Sequence, residues 1–171
     1  MDVVQALAAL VAAKTLYRIT CFDKHGNLKW VEEVPNLVTT EGLNNLLDAT
    51  LGGTTPETAW YVGLINNAAF SALAAGDTLA SHAGWTEFTT YTGNRQTWTK
   101  NGVAAAGAMS NSSSKASFPI TGTATLNGAF LASAATGTTG VLYGEASFSS
   151  TRDVESGDTL NVQVDPSVTS A

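Results

Sequence analysis

Polar and apolar residues alternate with a period of two through most of this chain, and at one place the spacing turns helical. From Leu16 to Asp23, Tyr17, Ile19 and Cys21 fall on one face and Arg18 and Thr20 on the other, the pattern of a half-buried strand. Asp23-Lys24-His25-Gly26-Asn27 reads as a turn, because Gly accepts positive φ at no steric cost and Asn tolerates it. Leu28 to Val34 then returns with Leu28, Trp30 and Val34 on one side, and Pro35 ends that strand by removing a ladder donor.

The helical spacing follows at once. Thr39 or Thr40 supplies an N-cap oxygen, Glu41 places negative charge in the first turn where it suits the helix dipole, and Leu43, Leu46 and Leu47 form an i, i+3, i+4 apolar stripe. Gly52-Gly53 stops the element, which therefore runs from about 39 to 50. A helix this short is unstable alone in water, so its stripe is expected to lie against a sheet.

Trp60 to Ile65 is a continuous apolar run of strand length, the pattern of a central strand covered on both faces. Asn66 to Ala83 is a long Ala-rich and polar connection that predicts a surface excursion. Beyond it, Glu87 to Thr92, Arg95 to Lys100, Lys115 to Thr121, Thr123 to Ser133, Val141 to Ser149 and Thr159 to Val164 are strand-like runs separated by Gly, Asn or Ser clusters, which together read as an all-β sandwich or barrel. The clearest is the last, where Leu160, Val162 and Val164 alternate with polar neighbours. Gly102 to Ser114 and Ala134 to Gly140 are small-residue runs with too little apolar content to offset ordering entropy unless something covers them.

Residues 1–14 form a separate segment before a sandwich domain of residues 15–171. The apolar run resembles a secretory signal only superficially, since it carries Asp2 and lacks a positive leading region, and it is too short to span a bilayer. Val3, Leu7 and Leu10 fall at helical spacing, so the segment reads as a terminal helix packed on its own domain or as an arm docking on another subunit.

Composition narrows the function more than the fold. Only 13% of the 171 residues are charged, against about 25% in typical domains. The net charge of -6, with eight scattered Lys and Arg, leaves no basic cluster for nucleic acid or for an anionic membrane. The single Cys21 excludes an intramolecular disulfide. Cys21, His25 and His82 show no metal-ligand spacing, and no other cofactor motif is present: the glycines make neither a GxGxxG nor a Walker loop. Glu32 and Glu33 point to opposite faces of a strand, so they do not flank one glycosidic bond, and no nucleophile elbow surrounds any Ser. The expectation is a protein that is not an enzyme and holds no cofactor or metal.

Trp85, Phe88, Tyr91 and Trp98 lie close together in sequence. Filling the sandwich core is the simpler reading, given how often aromatics dominate such cores. If Phe88 faces inward, strand alternation turns Trp85 and Tyr91 outward, where they would stack on sugar rings or anchor a protein contact. The interface candidates are therefore Val3, Leu7 and Leu10 in the arm and Trp85 at the end of the long connection.

Taken together, several ordered blocks carry a resemblance: Lys29-Trp30-Val31-Glu32-Glu33, Asn36-Leu37-Val38-Thr39-Thr40-Glu41-Gly42-Leu43, Trp60-Tyr61-Val62-Gly63-Leu64, Arg95-Gln96-Thr97-Trp98, Asn127-Gly128-Ala129-Phe130-Leu131 and Gly157-Asp158-Thr159-Leu160-Asn161-Val162. From Leu16 to Val164 the chain resembles a family of small tailed-bacteriophage virion proteins of the capsid decoration, or cement, type. The resemblance implies a jelly-roll-like antiparallel β-sandwich on the outer surface of the phage head. It would bind the major capsid protein there, as a dimer or trimer, and be made in the host cytoplasm. The alternative is a tail or head-fibre module whose Trp85, Tyr91 and Trp98 contact a host-surface glycan. A depolymerase-like hydrolase ranks third and needs two carboxylates in one cleft.

Overall fold

The computed structural model describes residues 11–170. In chain order its elements are β1 (Val11–Phe22), β2 (Leu28–Pro35), β3 (Leu37–Val38), α1 (Thr40–Thr50), β4 (Tyr61–Asn66), β5 (Thr86–Phe88), β6 (Gln96–Thr97), β7 (Ala116–Pro119), β8 (Ala124–Ala132), β9 (Leu142–Val154) and β10 (Thr159–Ser170). One sheet has the order β2-β1-β10-β7; the other has the order β3-β9-β8-β4-β5, with β6 also pairing with β4. All pairings are antiparallel, and the fold is an all-β sandwich with a short helix.

The β1–β2 hairpin forms where the alternation places it, closing through Asp23, whose carboxylate accepts from the backbone N–H groups of His25 and Asn27, while Gly26 takes φ +83°. Tyr17, Ile19 and Cys21 are fully buried, and Leu160, Val162 and Val164 of β10 meet them in the core between the sheets. β1 begins at Val11 rather than Leu16 and pairs with β10 from Val11↔Ser170 to Phe22↔Thr159, so Val11 to Lys14 of the expected arm are strand. Val3, Leu7 and Leu10 lie outside the described residues.

β4 is the central strand its apolar run predicts. Val62 and Leu64 enter the core between the sheets, while Ile65 enters a second cluster on the outer face of the larger sheet with Phe130, Ala132 and Leu142. The connection from Asn66 to Ala83 covers that outer face. Its Leu79 is fully buried there, and Phe70 and Leu73 pack against the cluster.

The small-residue runs are tied down by hydrogen bonds to their neighbours, the first by backbone bonds that join Gly107 and Met109 to β10 as well as by the Asn111 side chain. Beyond Val162, β10 no longer pairs with β7, and Asn111 continues the edge in its place: its Nδ2 donates to the Val162 carbonyl at 3.2 Å and its Oδ1 accepts from Val164 N at 2.7 Å. An edge covered in this way is no longer a template for another strand. Arg95, itself buried, donates to the carbonyls of Ala134 and Gly137 and thereby holds the second run.

Candidate functional site

The functional surface begins with how α1 is seated. Thr39 caps it by accepting from Gly42 N at 3.0 Å, and the Thr39 hydroxyl donates in turn to the Leu142 carbonyl. Glu41 reaches out of the first turn to accept from Leu142 N at 2.6 Å and Leu79 N at 3.0 Å, which joins the helix to both β9 and the long connection. Gly42 is the residue that touches β9: a Cβ there would run into the Tyr143 carbonyl. These contacts, not the leucines, set the helix rotation.

The expected burial of the Leu43, Leu46 and Leu47 stripe is therefore corrected. Leu46 is half-buried, but Leu43 is 42% exposed, Leu47 56% and Leu51, just past the end of the helix, 82%. Leu43, Leu47 and Leu51 stand at i, i+4 and i+8, which makes one apolar ridge facing solvent.

Beside this ridge, between α1 and one end of the sandwich, lies an open cavity of about 230 Å³. Trp60, Trp98, Leu131 and Tyr143 form its floor, with Leu46 and Met109 on its sides. The floor is fixed by its own bonds. Trp98 N donates to the Trp60 carbonyl at 2.8 Å, Trp98 Nε1 to the Val164 carbonyl at 3.0 Å, and Met109 N to the Pro166 carbonyl at 2.9 Å. The Trp60 and Tyr143 rings meet edge to face, 5.7 Å apart.

A second cluster is enclosed. A bulge in β9 makes Tyr143 an extra residue opposite Leu131 and Ala132, so Tyr143 enters the core between the sheets while Leu142 and Glu145 meet the outer cluster. Glu145 is fully buried there and accepts from Trp85 Nε1 at 2.8 Å and Ala74 N at 3.0 Å. Asp77 lies against the same two donors. Burial first, then the neighbouring Asp77 charge, pushes the Glu145 carboxyl up to about 7. These two carboxylates are close together, but they sit beneath the long connection with their oxygens engaged by Ala74 N and Trp85 Nε1.

Trp85 is corrected as an interface residue: it is 2% exposed, stacks on His82 at 3.8 Å and packs on Phe130. Tyr91 and Trp98 are 6% and 8% exposed, so the three aromatics proposed for glycan contact are buried; the core-filling reading holds for Tyr91 and Trp98, whereas Trp85 joins the outer cluster. Alternation does turn Trp85 to the outer face while Phe88 enters the core between the sheets, and the long connection then covers Trp85 there. It fails at Tyr91, which joins the core, because only Thr86–Phe88 and Gln96–Thr97 of this stretch are strand.

Cys21 is buried beside Asp158, and no group of three or more potential metal ligands occurs among the described residues. Glu32 and Glu33 do part to opposite sides: Glu33 pairs with Arg18 at the surface, while Glu32 is buried against Arg152 and Ser149. The helix ridge and the aromatic-floored groove escaped sequence reasoning. The signal available was Gly42, a helix-interior glycine whose natural reading is close approach to a neighbour.

No protein-family model and no curated protein matches this chain.

Proposed function

We propose that this protein is a structural virion component of the capsid decoration type, which binds the outer surface of a phage head and strengthens contacts between major capsid subunits. The observation that carries this reading is the exposed leucine ridge of α1 beside an aromatic-floored groove on a braced sandwich. Apolar surface held out on a rigid support belongs to an adhesive protein, since monomers rarely expose apolar patches without a contact to make. The block resemblance from Leu16 to Val164 supplies the class of partner. Many copies, each making modest contacts with more than one capsid subunit, would gain strength by avidity.

The test uses heads assembled with and without this chain. Heads lacking it should form normally but release DNA at a lower temperature, and adding purified protein back should restore the difference. Equal release temperatures would overturn the proposal.

A further inference from the structure

The groove beside α1 has the dimensions of a receptor for one side chain. At about 230 Å³ it falls below the roughly 300 to 1,000 Å³ of sites for drug-sized molecules, yet a cavity of about 150 Å³ with apolar walls already takes a benzene ring. Its floor is preformed, because the bonds of Trp98 and Met109 fix it without an occupant. Seating a side chain there costs little ordering of the receptor, the condition under which a buried anchor becomes a hot spot.

Charge specifies what flanks the anchor. Glu57 stands on the rim, and among the described residues no Lys, Arg or His lines the groove. α1 has no basic residue in its last turn, so no side-chain cation offsets the negative end of its dipole, beside Thr50 at the groove. Both features favour a cation next to the anchor. Leu43 and Leu47 are helix neighbours of Leu46 and Thr50 on the groove wall, so the ridge extends the apolar surface outward from the pocket.

We propose that this groove receives one aromatic or large aliphatic side chain, flanked by Lys or Arg, from a segment of the shell protein that the decoration reading requires, with the leucine ridge covering the residues that follow. The inference rests on that reading for the identity of the partner. The chemistry of the groove stands apart from it.

Two arms separate them. In the first, isotope-labelled protein is titrated with the peptides acetyl-Lys-Phe-Leu-Lys-amide and acetyl-Glu-Phe-Leu-Glu-amide and followed by NMR. The basic peptide should move the Trp60 indole and Met109 methyl signals and bind roughly tenfold more tightly than the acidic one. Ala49→Trp, which fills the groove from α1, should abolish this, and Glu57→Lys, on the exposed rim, should remove the preference for the basic peptide. Absence of groove shifts, equal binding of the two peptides, or unaltered behaviour of both variants would overturn the groove as a receptor. In the second arm, wild-type protein and both variants are bound to heads lacking this chain. Wild-type binding with loss in both variants supports the proposal, whereas unchanged binding of the variants refutes the groove as the shell contact and leaves the decoration reading standing. Failure of wild-type protein to bind heads sinks the decoration reading while the peptides still decide the groove. A wild-type dimer that Ala49→Trp dissociates in sedimentation would make a second copy the occupant and overturn the shell assignment.

Discussion

Glu145 and Asp77, on elements that sequence distance separates widely, present their carboxylates to the same two donors, the Trp85 indole N–H and the backbone N–H of Ala74. The pair thus fastens the long connection to the outer face of the larger sheet. Burial, and after it the neighbouring Asp77 charge, disfavours the ionised form of Glu145, so its proton is retained above the ordinary carboxylate range.

That retention gives stability a direction in pH. The folded-state value for Glu145, about 7, exceeds its ordinary 4.5, so its contribution is fully present below pH 4.5 and is lost as pH rises through 7. Across that window the wild-type protein should lose on the order of 3 kcal/mol relative to Glu145→Gln, which has no proton to release. Urea unfolding of both proteins between pH 4 and 8 measures this, and parallel curves would refute the retained proton on Glu145.

Glu32 shows the opposite arrangement. Burial alone would raise its carboxyl, but hydrogen bonds from Arg152 and Ser149 outweigh that and hold it below the ordinary value. Arg152→Ala should cost about 2 to 3 kcal/mol by leaving a buried carboxylate short of its partner, with Arg152 itself 31% exposed and its side of the pair partly screened. Replacing the pair together, Glu32→Leu with Arg152→Met, should recover most of that loss. Chemical denaturation of the single and double variants decides it; a double variant as unstable as Arg152→Ala would contradict the desolvation argument.

Gly42→Ala pits helix propensity against space. Alanine in a helix interior gains up to about 1 kcal/mol over glycine, but its methyl here meets the backbone carbonyl of Tyr143, which has little freedom to yield. The expected outcome is a net loss of about 1 to 3 kcal/mol, read as a lower thermal midpoint. A stabilised variant would mean that α1 does not rest on β9 through this residue.

Cys21 should be chemically silent in the native protein. It is fully buried, and burial, then the Asp158 charge, pushes its thiol up to about 12, leaving almost no thiolate near neutrality. Iodoacetamide should label it only at the rate of unfolding. Rapid labelling under native conditions would show that the core between the sheets opens at this strand.

Ridge leucines are expected to behave as contact residues rather than core. Leu47→Gln and Leu51→Gln should change stability by no more than about 0.5 kcal/mol, since both side chains are mostly in solvent. The same variants should lose retention on heads. Substantial destabilisation with retention unchanged would reassign the ridge to the fold.

Those parts of the fold governed by local alternation were legible in the sequence. Tyr17, Ile19 and Cys21, like Leu160, Val162 and Val164, are buried as their spacing implies, and Thr39 is one of the two caps expected for the helix. What was not legible depends on contacts between distant segments. Leu43 and Leu47 of α1 face outward because Glu41 bonds Leu142 and Leu79 and Gly42 abuts Tyr143, and no helical periodicity encodes those partners. Glu145 is buried because a bulge at Tyr143 changes the alternation within β9, so a residue that reads as a solvent-facing acid enters an apolar cluster. Trp85 faces outward as alternation implies but is buried because the long connection folds over it, and Tyr91 turns into the core because irregular backbone, rather than a regular strand, carries it.

The twelve-residue pairing of β1 with β10 imposes a schedule on biosynthesis. A nascent chain on the ribosome can close the β1–β2 hairpin early, yet the flank of β1 that β10 will occupy stays open until every other strand between them has been translated. Such distant pairing is slow to nucleate, so completion of the smaller sheet waits on the synthesis of β10, and the half-built hairpin is the species most exposed to wrong partners on the way.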